Sequence, residues 1–159
     1  MENFIYSIPT TIYFGKGQIE HVAQAVRPYG KKALIVYGGG SVKKNGIFDR
    51  VTEILEHEGI AWEELGGVEP NPRIETVRKG AELCKAGNIE VVLPIGGGST
   101  IDCAKIIAAG ALYDGDAWDL VLDGKKIQAA LPIVAVLTLA ATGSEMDTAA
   151  VISDMASNN

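Results

Sequence analysis

The chain has 159 residues, 47% of them hydrophobic, and a formal net charge of −6. That length suits one domain with a real core. The acidic balance and the lack of a basic run argue against nucleic acid as a partner, and no apolar run reaches the roughly 18 residues a membrane span needs.

Taken in chain order, Phe4–Ile8 and Thr11–Phe14 read as two short strands broken by Pro9, a β-hairpin at the N-terminus. Gly15 to Gly17 is a turn. Ile19, Val22, Ala23 and Val26 share a helical face that ends near Pro28 and Gly30. Ala33–Tyr37 is an apolar strand, followed by Gly38-Gly39-Gly40-Ser41. Ile47, Val51, Ile54 and Leu55 recur at helical spacing, and Gly59 stops that helix. Ile60–Leu65 is a strand. Two prolines stiffen the loop Val68-Glu69-Pro70-Asn71-Pro72-Arg73 around Asn71. Ile74, Val77, Ala81 and Cys84 mark a third helix, closed by Gly87-Asn88. The run 90–95 is a buried strand, and a helix follows from Ser99. Asp116–Leu120 is a short helix, Ile133–Leu137 a last core strand, and Ala149–Ile152 a strand after the small-residue loop Thr138–Glu145.

Strands alternating with helices predict an α/β fold, a mostly parallel sheet flanked by helices. Ligands of such sheets bind beyond the carboxyl ends of the strands. Both glycine clusters, the Asn71 loop and the Thr138 loop each follow a strand, so all four are expected at one sheet edge. The run Gly96-Gly97-Gly98-Ser99-Thr100-Ile101-Asp102-Cys103-Ala104-Lys105 is the most telling of them. A glycine turn between strand and helix lets a phosphate reach bare amides at the positive end of the helix dipole. Ser99 is expected to cap that helix, with Asp102 in its first turn and Lys105 either paired with Asp102 or solvated. Neither cluster has the third glycine of the common dinucleotide fingerprint or of a Walker loop, since Lys43 and Ile101 stand there.

The two histidines, His21 and His57, fall on early helices away from these loops. No metal-ligand spacing and no nucleophile with a histidine base emerges. Cys84 and Cys103 sit in helix-patterned stretches and read as inert thiols of a reducing compartment. The start Met1-Glu2-Asn3 lacks the basic region of a secretory signal, so a cytoplasmic location is expected. Beyond the first glycine cluster the chain offers Ser41, Lys43 and Lys44 and no evident carboxylate. That favours NADP over NAD, with NAD possible.

Gly96-Gly97-Gly98-Ser99-x-x-Asp102-x-x-Lys105 resembles the signature loop of the iron-containing (group III) alcohol dehydrogenases. The likeness extends to Phe14-Gly15-x-Gly17, to Gly66-Gly67-Val68-Glu69-Pro70-Asn71-Pro72, and to Thr138-x-x-x-Thr142-Gly143-Ser144-Glu145. The run from Tyr37 to Gly46 looks most like the branch of butanol dehydrogenases and NADPH-dependent aldehyde reductases. The resemblance implies a Rossmann-like cofactor domain over 1–159, with the C-terminal helical metal domain of the family absent. It implies that Gly97, Gly98 and Ser99 contact the pyrophosphate, and that Thr138, Leu139 and Thr142 line the ribose and nicotinamide side. Asn71 would lie near the adenosine ribose, Asp102 would face the nicotinamide end, and Gly39 and Ser41 would border the adenosine 2′-position. Hydride transfer with a primary alcohol or aldehyde such as butanol or butanal is implied for the parent enzyme, with iron or zinc as its metal. The fragment alone is expected to bind cofactor, to hold no metal, to be inactive and to form a homo-oligomer. A rival reading is a self-assembling structural module, in which exposed edges build oligomers, filaments or tubes. A third is a relative of glycerol dehydrogenase or dehydroquinate synthase.

Overall fold

The computed structural model describes Asn3, Ile5 and residues 7–157. Its centre is a four-stranded parallel sheet of order β2-β1-β3-β4, built from β1 (Lys32–Tyr37), β2 (Ala61–Leu65), β3 (Val91–Gly96) and β4 (Val136–Leu137). The first crossover, through α2 (Ser41–Lys44) and α3 (Ile47–His57), carries the chain outward to β2. The second, through α4 (Ile74–Gly87), carries it back past β1 to β3. The direction of winding therefore reverses between β1 and β3, which opens a crevice at their carboxyl ends.

Helices cover both faces. Ala33, Ile35, Tyr37, Val91, Leu93 and Ile95 pack against α1 (Val22–Val26) and α3. Leu34, Val36 and Val92 pack against α4, α5 (Gly98–Gly110) and α6 (Ala117–Leu122). This explains the unbroken apolar runs of β1 and β3: a parallel strand buried on both sides has no polar face. Helix ends follow local chemistry. Gly59 takes φ +71° after α3, and Ile60 N–H returns to Leu55 C=O at 2.9 Å. Asp116 caps α6 by accepting from the Trp118 amide at 2.9 Å, and it also pairs with Arg78 of α4 at 2.9 Å.

Three expected elements differ. The strand read at Ile133–Leu137 shrinks to Val136–Leu137 plus one isolated bridge between Val92 and Ile133. Pro94 is the cause. On β3, Val92 N–H donates to Pro132 C=O at 3.0 Å and Val92 C=O accepts from Val134 N–H at 3.1 Å. The next donor toward β4 belongs to residue 94, where proline has no N–H, so the ladder resumes only beyond it. The strand read at Ala149–Ile152 is replaced by a single bridge between Arg73 and Ser153, because α4 begins at Ile74 and ends the partner. No strand forms over Thr11–Phe14, so the expected hairpin is absent from the described residues. Phe4 and Tyr6 of its first half lie outside them. Ile12 and Phe14 are exposed, and no neighbouring strand offers those residues a ladder.

Helices α4 and α5 meet closely at Gly80, where an added Cβ would lie 2.4 Å from Ile107 Cδ1. Ile107 is fully buried, so it has little room to yield. Gly80→Val is expected to cost about 2 kcal/mol in urea unfolding, while the exposed neighbour Lys79→Ala changes stability by less than about 0.5 kcal/mol. Cys84 and Cys103 are both buried, and that burial pushes each thiol up to about 12. Disulfide-exchange titration at pH 8 should therefore find almost no reactive thiol in the native chain, and both in denaturant.

Candidate functional site

Four strand ends deliver their loops to one edge of the sheet. After β1, Gly38-Gly39-Gly40 turns into α2, with Gly40 at φ +100°, a conformation other residues adopt only under strain. This turn is tied to the loop after β2: Gly67 N–H donates to Gly38 C=O at 2.9 Å, and Val68 N–H to Tyr37 C=O at 3.1 Å. Asn71 sits further along that loop, exposed and at φ +64°, where an asparagine tolerates the left-handed region. Glu69 and Arg73 bracket it with an ion pair of 2.6 Å.

After β3 the chain passes directly into α5. Gly97, not Ser99, is the N-cap, and no side chain caps the helix. Ser99 lies inside the first turn, because the helix starts two residues earlier than the Ser-x-x-Asp spacing suggests. The first return bond runs from Ile101 N–H to Gly97 C=O at 3.2 Å. The amides of Gly98, Ser99 and Thr100 thus precede any return bond of the helix, and residues 97–99 are only half-buried. A 13-residue helix presents bare donors and the positive end of its dipole here.

The loop after β4 closes over this start. Thr138 N–H donates to Gly96 C=O at 3.0 Å. A Cβ on Gly98 would lie 2.7 Å from Thr142 Oγ1, and one on Gly97 would lie 3.9 Å from Leu139 Cβ. Gly97, Gly98, Ser99, Thr138, Leu139 and Thr142 are therefore one cluster. Gly39, Ser41 and Asn71 stand on the β1 and β2 side of the same edge. Thr138, Leu139 and Thr142 are exposed, as are Gly39 and Ser41.

Asp102 and Lys105 have a role that the sequence only hinted at. Asp102 accepts from Ser144 Oγ at 2.5 Å and from the Val151 amide at 3.1 Å. Lys105 donates to Ser144 Oγ at 3.0 Å, Asp147 at 2.8 Å and Ala149 C=O at 2.7 Å. Its ammonium stands 3.9 Å from Asp102. The two side chains act as a clasp that holds residues 144–151 against α5, and with them the loop carrying Thr142. The Lys105 hydrogen bond keeps the Asp147 carboxyl below its ordinary range. Neither residue is solvated: their side chains are 15% and 17% exposed.

Glu64 escaped the reading of motifs altogether. Its only trace in the sequence is the period of two that puts it on the Trp62 face of β2. In the fold, Glu64 accepts from Tyr37 Oη at 2.8 Å and pairs with Lys43 at 2.8 Å. A carboxylate therefore stands beside Lys43, contrary to the expectation drawn from the chain after Gly40. His21 stacks on Tyr13 and His57 is exposed at the end of α3, both on the early helices. Among the described residues, no three His, Cys, Asp or Glu side chains come together to hold a metal.

Replacing Asp102 by alanine removes the acceptor of the Ser144 hydroxyl and of the Val151 amide, and is expected to cost about 1 kcal/mol. Hydrogen exchange at Val151 should speed up before any change is seen in the amides of β1.

The comparisons with known proteins agree with this geometry. The family model described as iron-containing alcohol dehydrogenase matches residues 9–159. The chain is 60% identical over 158 residues to NADH-dependent butanol dehydrogenase A of Clostridium acetobutylicum, covering 99% of this chain and 41% of that protein. It is 44% identical to the NADPH-dependent aldehyde reductase YqhD of Escherichia coli, covering 96% of this chain and 40% of that one. The crystal structure of NADH-dependent butanol dehydrogenase A from Thermotoga maritima superposes with a TM-score of 0.93 at 47% identity, over 99% of this chain and 40% of that one. The chain spans about two fifths of the length of these relatives. With the signature loop, the clasped Thr142 loop and the sheet order all in place, the chain belongs to the iron-containing alcohol dehydrogenase family.

Proposed function

We propose that these residues are the cofactor-binding part of an NAD(P)-dependent alcohol dehydrogenase or aldehyde reductase. The observation that carries the reading is the seating of the Thr138–Thr142 loop on the open start of α5, at the point where strand order reverses. A dinucleotide laid across that crevice places its diphosphate on the amides of Gly98 and Ser99, beside Gly97, where no side chain intervenes. Its nicotinamide half runs toward Thr138, Leu139 and Thr142. Its adenosine half runs toward Gly39, Ser41 and Asn71. Backbone amides suffice for the diphosphate in an acidic chain, since Lys105 is already engaged.

A bound nicotinamide would supply a hydride acceptor or donor at C4, the alcohol's hydroxyl proton passing to solvent. The chain's own residues would hold it: Gly97, Gly98 and Ser99 at the diphosphate, and Thr138, Leu139 and Thr142 on the nicotinamide side. A primary alcohol or aldehyde of the butanol and butanal kind is the proposed substrate of the whole protein, after the names of the relatives. Those names include both NADH- and NADPH-dependent enzymes, and either cofactor fits the reading. The described residues hold no donor set suited to iron or zinc, so no step is assigned to a metal here. Accordingly, the 159 residues are proposed to bind cofactor without turning over alcohol. A homo-oligomer is part of the same proposal: Leu139, Val151 and Met155 leave 66%, 66% and 63% of their surface exposed.

Calorimetric titration with NADH tests the reading. Gly97 has backbone angles of −95° and −164° that any residue accepts, and a Cβ there would make only ordinary contact, 3.9 Å from Leu139 Cβ. Gly97→Asp therefore folds, puts a carboxylate where the diphosphate lies, and is expected to weaken NADH binding at least about tenfold. Equal binding by both proteins would remove the diphosphate from α5.

A further inference from the structure

The group formed by Lys43, Glu64, Tyr37 and Phe48 lies outside every role assigned above. We propose that Glu64 selects the cofactor: by engaging the Lys43 ammonium, it makes the site favour an adenosine ribose with a free 2′-hydroxyl over one with a 2′-phosphate. The inference rests on the dinucleotide reading of the sheet edge and goes on to name which dinucleotide that edge prefers.

The placement follows from the fold. With the diphosphate at α5 and nicotinamide toward β4, the adenosine ribose reaches the ends of β1 and β2. Lys43 stands there, two residues beyond Ser41 on α2. Its ammonium is held on three sides. It pairs with Glu64 Oε2 at 2.8 Å, and it lies 5.0 Å from the centre of the Tyr37 ring and 4.6 Å from that of Phe48. Tyr37 Oη donates to the same Glu64 oxygen at 2.8 Å, which fixes the carboxylate. Tyr37 cannot swing away, because its ring lies against the backbone of Gly66, where an added Cβ would be 2.7 Å from Tyr37 Oη.

The consequence is electrostatic. A free lysine beside Ser41 would attract a 2′-phosphate. In a pair at 2.8 Å the carboxylate cancels the pull that the ammonium would exert on a dianion. The Lys43 hydrogen bond also holds the Glu64 carboxyl below its ordinary range, so the cancelling charge persists at neutral pH. Both contacts use Oε2, which leaves Oε1 as a further acceptor for a sugar hydroxyl. The two side chains remain 42% and 39% exposed, open to a ligand.

The experiment is calorimetric titration of the chain with NADH and with NADPH, for the unaltered protein, Glu64→Gln, Lys43→Met and the double variant. Glutamine keeps an acceptor for Tyr37 and removes only the charge. Glu64→Gln is expected to move the ratio of NADPH to NADH affinity at least about tenfold toward NADPH. Adding Lys43→Met should cancel that gain. Lys43→Met alone should move the ratio toward NADH, because Glu64 then stands uncompensated. A ratio unmoved by Glu64→Gln, or a shift toward NADPH with Lys43→Met alone, overturns this inference and leaves the dinucleotide reading standing. Failure of the unaltered chain to bind either cofactor overturns both.

Discussion

The carbonyl of Gly96 is the point on which the rest of the site depends. It ends β3, accepts the Thr138 amide at 3.0 Å, and stands directly before the helix that presents its amides. One hydrogen bond thus sets the spacing between the loop that follows β4 and the start of α5. Gly96 tolerates no side chain there, since a Cβ would meet Thr100 Oγ1 at 2.6 Å. A ladder that broke one residue earlier would leave Thr142 far from Gly98. Pro94 brings it close to breaking, because the missing N–H interrupts β4 just before Val136.

Charge is distributed to suit this arrangement. Two cations near the edge are already engaged: Lys105 by Ser144, Asp147 and Ala149, and Lys43 by Glu64. What remains for an anion is backbone, at the start of a 13-residue helix. A diphosphate held there, as proposed, would be bound by direction rather than by net charge. That would suit a protein of net charge −6. Asp102 is likewise engaged, by Ser144 and the Val151 amide.

Most of the fold was legible in advance where the signal was local. Apolar runs bounded by glycine mark β1 and β3, and helical spacing marks α3 and α4. The convergence of the loops followed from strand–helix alternation alone. The misreadings share one cause, a partner that a local pattern does not name. Thr11–Phe14 looks like a strand but finds no ladder among the described residues. Ile133–Leu137 has strand composition throughout, yet its neighbour's Pro94 decides which residues pair. Ser99 fits a capping box, but Gly97 already begins the helix.

The amino-acid sequence by itself determined the α/β architecture, the family likeness and the glycine turn between β3 and α5. Each of these depends on residues a few positions apart, whose spacing is visible in one dimension. Tertiary structure alone decided that Asp102 and Lys105 clasp the Thr142 loop, and that Glu64 stands against Lys43. Those contacts join residues 42 and 21 positions apart, brought together by the crossovers between parallel strands. Charge pairing across such distances leaves no periodic trace in a chain, because Coulomb attraction acts on position in space and is indifferent to order along the backbone.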